Sequence, residues 1–199
     1  MLKVLLDDLV EAYESRDMRV SHTLQPGLTR EAIVEKFSWF RGTLPQDLFE
    51  LYEWRGGQVL EEDSDAPFWF RDVLFLTPER ARRQYESMMG TYGVDSSLEK
   101  DGLELENCVP FGAYSGSWYV IPSGGQNIRP EYPSAIINVY HGVQLLYYSM
   151  EHMVRTCIKW VRHPDYTYKT WRWDHTEIDI WEEINPGIFP KKSLFDGEA

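Results

Sequence analysis

One stretch constrains this chain more than any other: Leu44-Pro45-Gln46-Asp47-Leu48-Phe49-Glu50-Leu51-Tyr52-Glu53-Trp54-Arg55-Gly56-Gly57. Leu44, Leu48 and Leu51 recur at three- to four-residue spacing and draw one apolar stripe, which predicts a short amphipathic helix. Pro45 suits a first helical turn, where a missing N–H costs nothing. Gly56 and Gly57 read as its stop, since glycine tolerates the left-handed conformation of many helix exits.

The rest of the chain supplies partners for such a helix. Leu2, Leu5, Leu6, Leu9, Val10 and Tyr13 follow the helical period and predict an N-terminal helix over residues 2–18. Gln25-Pro26-Gly27-Leu28 reads as a turn. Thr29 is placed to cap a second helix carrying Ile33, Phe37 and Phe40. Residues 58–66 form an acidic loop with Glu61, Glu62, Asp63 and Asp65, and Phe68–Leu76 is aromatic and β-branched enough for a strand with a bend in its middle. Thr77-Pro78-Glu79 opens another helix: capping hydroxyl, first-turn proline, and an acid favourable to the helix dipole.

From Leu103 the pattern turns to strands. Cys108–Phe111 is expected to end at Gly112 and Trp118–Ile121 at Pro122. Ala135–Tyr140 and Val143–Tyr148 flank the two-residue link His141-Gly142, which predicts a hairpin. Ser149 is placed to cap a helix with Met150, Met153, Val154, Cys157 and Val161 on one face. Consecutive strands with short connections, preceded and followed by helices, predict an α+β domain with an antiparallel sheet packed against helices. Residues 162–199 read as an aromatic-rich extension. Asp174 and Glu177 have capping-box spacing there, and Asn185-Pro186-Gly187 ends the short helix that follows.

Composition narrows the function. The 43% hydrophobic and 15% aromatic content belongs to a globular chain and not a disordered one. Its 20 basic and 32 acidic residues give a formal charge of −12. That surface repels nucleic acid and anionic membranes and favours basic partners. Cys108 and Cys157 form no C-x-x-C pair and read as buried, reduced thiols. Asp7 and Asp8 interrupt the apolar N-terminus, so neither a signal peptide nor a membrane span is expected, and the expected location is the cytoplasm.

Catalytic motifs fail on spacing. His22, His141, His152, His163 and His175 form neither H-x-x-x-H nor H-E-x-x-H. His175-Thr176-Glu177 lacks the P-C-x-x-C that a zinc deaminase requires. Gly112-Ala113-Tyr114-Ser115-Gly116 places its glycine three residues before the serine, where a nucleophile elbow needs two, and reads as a turn. Gly124-Gly125 lacks the G-K-[ST] of a phosphate loop. No metal, cofactor or catalytic residue is expected.

Read in order, the pieces resemble a known family. Leu24–Thr29 before a helix, the Leu44–Gly57 signature, Phe75-Leu76-Thr77-Pro78-Glu79-Arg80-Ala81, Val109-Pro110-Phe111-Gly112, and the hairpin and helix of Val143–Val161 together look like the SUKH superfamily, which includes fungal cell-wall assembly regulators. The likeness covers residues 24–161 and places a SUKH-like domain at 1–161. It implies an antiparallel sheet packed on helices and a protein-binding role. Many bacterial members are immunity proteins that neutralise a cognate toxin, and fungal relatives are interaction hubs. It carries over no catalytic residues. Leu44, Pro45, Leu51, Trp54, Gly57, Pro110 and Gly112 match its recurring positions and read as scaffold. Arg55 departs from the pattern, and residues 162–199 lie outside it.

The expected function is therefore a non-enzymatic, protein-binding domain of immunity type, with a regulatory interaction module as the alternative and a small-molecule binder or enzyme behind it. The acidic residues Glu61, Glu62, Asp63 and Asp65 are the first candidates for meeting a basic toxin surface. Tyr166, Tyr168, Trp171 and Trp173 are the second: Tyr and Trp favour interface hot spots, and they equally serve to pin an extension onto a domain. Trp54 reads as a core anchor, with an exposed binding aromatic as the alternative.

Overall fold

The computed structural model describes residues 1–60, 69–70, 73–92, 104–123, 134–140, 142–166 and 175–188. It is an α+β protein whose sheets are antiparallel throughout.

Helix α1, Leu2–Glu14, buries Leu2, Leu6, Leu9, Ala12 and Tyr13. It is shorter than its periodicity predicts because Asp17 turns left-handed (φ 58), with Asp17 N–H donating to Glu14 O and Met18 N–H to Tyr13 O. That paired bonding is a Schellman exit. Helix α2, Arg30–Lys36, starts at Thr29, whose side chain accepts from Ala32 N–H at 3.2 Å.

Helix α3, Gln46–Trp54, is the predicted amphipathic helix, with Leu48 and Leu51 fully buried and Leu44 half-buried at its approach. Its ends correct the sequence reading twice. Pro45 is the N-cap, not a first-turn residue, and its carbonyl accepts from Leu48 N–H. The helix does not exit through a left-handed glycine. Arg55 is extended (φ −147), and Arg55–Gln58 is strand β2. Strand β1, Leu24–Pro26, pairs with it where the sequence suggested only a turn. Pro26 is tolerated because β1 is an edge, where a missing donor disturbs no ladder.

The main sheet has the order β3-β4-β5-β6-β7. Its strands are β3 Leu74–Phe75, β4 Cys108–Tyr114, β5 Ser117–Pro122, β6 Ile136–Val139 and β7 Val143–Tyr147. At the bend expected before β3, Phe70 and Val73 exchange two backbone hydrogen bonds of 3.3 Å. Strand β4 runs through Gly112, where a stop was expected. The register slips between Pro110 and Gly112, and this bulge accommodates a proline that cannot donate to the ladder. Ser115 (φ 48) and Gly116 (φ 83) then make the two-residue turn into β5, with Tyr114 opposite Ser117. Two positive φ values mark a type I′ hairpin, which explains the serine's setting without any catalytic geometry.

Residues opposite each other on neighbouring strands share a face. Leu74, Ala113, Trp118, Val139 and Val143 form one such row. Helix α4, Pro78–Tyr92, covers that face: Gln84 accepts from Trp118 Nε1 at 2.8 Å and Tyr92 meets the Trp118 ring edge-on. Phe75, Gly112, Tyr119, Asn138 and Gln144 form the opposite row, and Phe75 there meets Tyr52 of α3. A Cβ on Gly112 would lie 2.8 Å from Val73, so that crossing requires glycine. Coverage from both sides explains why Cys108–Ala113 is buried without alternation.

Helix α5, Met150–Arg162, is capped by Ser149, which accepts from His152 N–H, and packs on α1. Helix α6, His175–Ile184, lies against α5. Trp181 is buried beside Tyr147, and Asn185 donates to Thr156 Oγ1 at 3.1 Å. Among the described residues no helix is long and apolar enough to cross a membrane.

Candidate partner-binding surface

The acidic segment is built on a locked base. Strand β2 ends at Gln58, which is fully buried, and the described chain resumes at Trp69, also fully buried. Gln58 Oε1 accepts from Trp69 N–H at 2.9 Å, and Gln58 Nε2 donates to Thr23 Oγ1 at 3.0 Å. Thr23 in turn donates to Val20 O, and its carbonyl accepts from Val59 N–H. One glutamine side chain thus ties together the start of the segment, its return, and the short 3-10 turn Val20–Thr23. Burying an amide is favourable only when its donors and acceptors are matched, and here both ends are.

Aromatic packing reinforces the base. Trp69 stacks on Trp54 (5.1 Å between ring centroids, 30° between planes) and meets Tyr13 at 5.8 Å. The Tyr13 hydroxyl donates to Trp69 O at 3.3 Å. Trp54, 3% exposed, donates from Nε1 to Asp7 Oδ1 at 2.7 Å, and the Arg55 guanidinium lies 5.0 Å from its ring. Trp54 is a core anchor and not an exposed binding aromatic. Helix α1 also brings Glu11 and Glu14 to the surface, while Asp8 is paired with Arg162.

Glu61, Glu62, Asp63 and Asp65 themselves lie outside the described residues, as do Tyr168, Trp171 and Trp173. Tyr166 is described, and it is 8% exposed. Its ring stands edge-on to Trp160 at 4.4 Å, its hydroxyl contacts Met18 Sδ at 3.7 Å, and Arg16 lies 5.2 Å from its ring. At this position the aromatic pins the chain after α5 to the end of α1.

Gly57, one of the residues read as scaffold, sits at a close backbone crossing. Gly57 has φ +111, and a Cβ there would lie 2.6 Å from both the N and Cα of Thr77. It lets β2 pass directly against the start of α4.

Burial and hydrogen bonding shift a few titratable groups. Burial pushes the Cys108 thiol well above its ordinary range, away from the reactive thiolate. Cys157 is also buried. Asp47, in the first turn of α3, takes hydrogen bonds from Ser134 and from the Met150 backbone at the start of α5. Burial, with Glu50 and Glu151 nearby, nevertheless raises its pKa. Glu79 is lowered, chiefly by its hydrogen bond from Lys36 at 2.6 Å. Among the described residues no group of three or more His, Cys, Asp or Glu could hold a metal ion.

Sequence reading missed Gln58, Asp7 and Asp47. Gln58 follows the glycine pair and carries no local signal of burial, because its partners Thr23 and Trp69 lie elsewhere in the chain. Compared with known proteins, the chain matches no family model and no curated protein sequence.

Proposed function

We propose that this chain is a protein-binding domain of immunity type, a SUKH-like domain that engages and neutralises a basic toxin domain in the cytoplasm. The observation that carries the reading is the Gln58 clamp. It locks both ends of a segment containing Glu61, Glu62, Asp63 and Asp65 to a buried aromatic base. A fixed base limits the entropy lost when such a segment meets a partner, and a net charge of −12 steers basic surfaces toward it. The ordered resemblance over residues 24–161 supports the same reading. A toxin that acts on nucleic acid carries a basic surface, and an acidic binder covers that surface as a phosphate backbone would.

The test is affinity capture from native lysate, at low and high salt, with the wild-type chain and with a variant in which Glu61, Glu62, Asp63 and Asp65 are all replaced by Lys. The expected result is a stoichiometric partner with a basic toxin domain, weakened by salt and lost from the variant. Capture of that partner by both chains alike removes the acidic segment from the interface. A housekeeping partner replaces the immunity reading with the regulatory module.

A further inference from the structure

We propose that strand β7 is a self-association edge, pairing antiparallel with the β7 of a second copy across a two-fold axis at Gln144. The two edges of the five-stranded sheet differ sharply. Strand β3 is two residues long and offers almost no ladder. Strand β7 is five residues long, and among the described residues it pairs with β6 alone. An edge of that length presents unpaired backbone donors and acceptors, which natural sheets blunt with charges, prolines or bulges.

Among the described residues none of those devices lies within Val143–Leu145; a bulge in β7 comes just beyond, at Leu146, where the register with β6 slips between Ile136 and Ile137. From Ser134 to Met150 the sequence contains no Lys, Arg, Asp, Glu or Pro. This is a long uncharged run in a chain with 20 basic and 32 acidic residues. Two copies carrying −12 each repel across most of their surfaces, and this strip is where they can meet without opposing carboxylates. The repulsion between two copies is therefore least at this edge, where the strip offers a charged partner no opposite charge to pair with.

The exposure pattern locates the axis. Val143, Gln144 and Leu145 are half-exposed, whereas Leu146 and Tyr147 are buried. An axis at Gln144 sets Val143 of one copy against Leu145 of the other, and Gln144 against itself. The Gln144 amide is suited to that place. Both Nε2 and Oε1 lie folded out of reach of water with no hydrogen-bond partner, a costly state for a side chain with one acceptor and one donor group. Across a two-fold axis the donor of one amide faces the acceptor of the other. Rotation about the unbranched side chain brings the two together, and directly opposed residues on paired strands lie within reach. Tyr140, 40% exposed beside the β6–β7 turn, extends the uncharged surface.

The experiment is sedimentation equilibrium of the full chain over a concentration series, at low and high salt, for wild type, Gln144→Lys and Gln144→Thr. Circular dichroism and a urea midpoint verify that each variant is folded. The expected result is a concentration-dependent dimer that tightens with salt, because salt screens the repulsion between acidic copies. Gln144→Lys weakens it by at least roughly tenfold, since it sets two like charges against each other, and Gln144→Thr retains it. A monomeric wild type at all concentrations, or a folded Gln144→Lys chain that dimerises as wild type does, overturns the proposal. The salt response is opposite in sign to that expected for a basic partner on the acidic segment, so the two readings fail independently.

Discussion

Gln58 and Trp69 are joined by a buried hydrogen bond of 2.9 Å across the base of the acidic segment, from side-chain Oε1 to backbone N–H. The same side chain holds Thr23, so its removal strands a backbone donor and loses a second contact. Gln58→Ala is expected to cost about 2–4 kcal/mol, from unsatisfied buried groups and a cavity. Urea unfolding measures this, and limited proteolysis within 61–68 is expected to accelerate more than cleavage elsewhere. An unchanged midpoint would show that the clamp contributes nothing.

Glycine plays two different roles at Gly57 and Gly90. Gly57 combines φ +111 with a close approach to the Thr77 backbone, so Gly57→Ala is expected to destabilise by at least about 2 kcal/mol. Gly90 sits within α4 with nothing within 4 Å of an added Cβ, so Gly90→Ala is expected to stabilise by roughly 0.5–1 kcal/mol. Thermal midpoints that move in the same direction for both would refute the distinction.

Asp47 and Glu79 respond to pH with opposite signs. The folded-state pKa of Asp47 is raised from its ordinary 3.8, so its contribution is most favourable when protonated and falls as pH rises through the window above that value. Asp47→Asn is therefore expected to gain stability relative to wild type as pH climbs through this window. Glu79 is lowered from 4.5, so its contribution is present above that value and is lost as pH falls through the folded-state pKa. The deficit of Glu79→Gln is expected at neutral pH and to close in acid. Denaturant midpoints across the acid range would expose a wrong assignment as a difference of the wrong slope.

Trp54 Nε1 donates to Asp7 Oδ1 and links α3 to α1. In a double-mutant cycle, Asp7→Ala and Trp54→Phe are expected to couple by about 1 kcal/mol. A coupling near zero would mean that only ring packing matters at this position.

Both thiols are buried, and burial holds Cys108 in the neutral form. Neither is expected to react with a thiol reagent in the native state, and both should react once urea unfolds the chain. Labelling of Cys108 at the rate of a free thiol, without denaturant, would contradict the packing of β4.

The parts of this protein written in local sequence are those whose physics is local. Leu48 and Leu51 announced α3 because helical spacing alone puts them on one face. Thr29 and Ser149 announced α2 and α5 because a capping hydroxyl acts within three residues. The uninterrupted apolar character of β4 and β5, with turn residues between them, was sufficient to require adjacent strands and an α+β class. The acidity of residues 61–65 was equally plain.

Tertiary structure decided what distant partners control. Gly56-Gly57 did not end the helix, which stops at Trp54, but lie in β2, where Gly57 is required by its φ and by the nearness of Thr77. A local sequence does not distinguish a glycine that ends a helix from one kept for a close crossing. Pro26 became part of a strand because β2 happened to lie beside it as a partner needing no donor there. The importance of Gln58 was invisible because an isolated glutamine reads as polar surface. Only a fold that brings Thr23 and Trp69 to the same place gives its amide a reason to be buried.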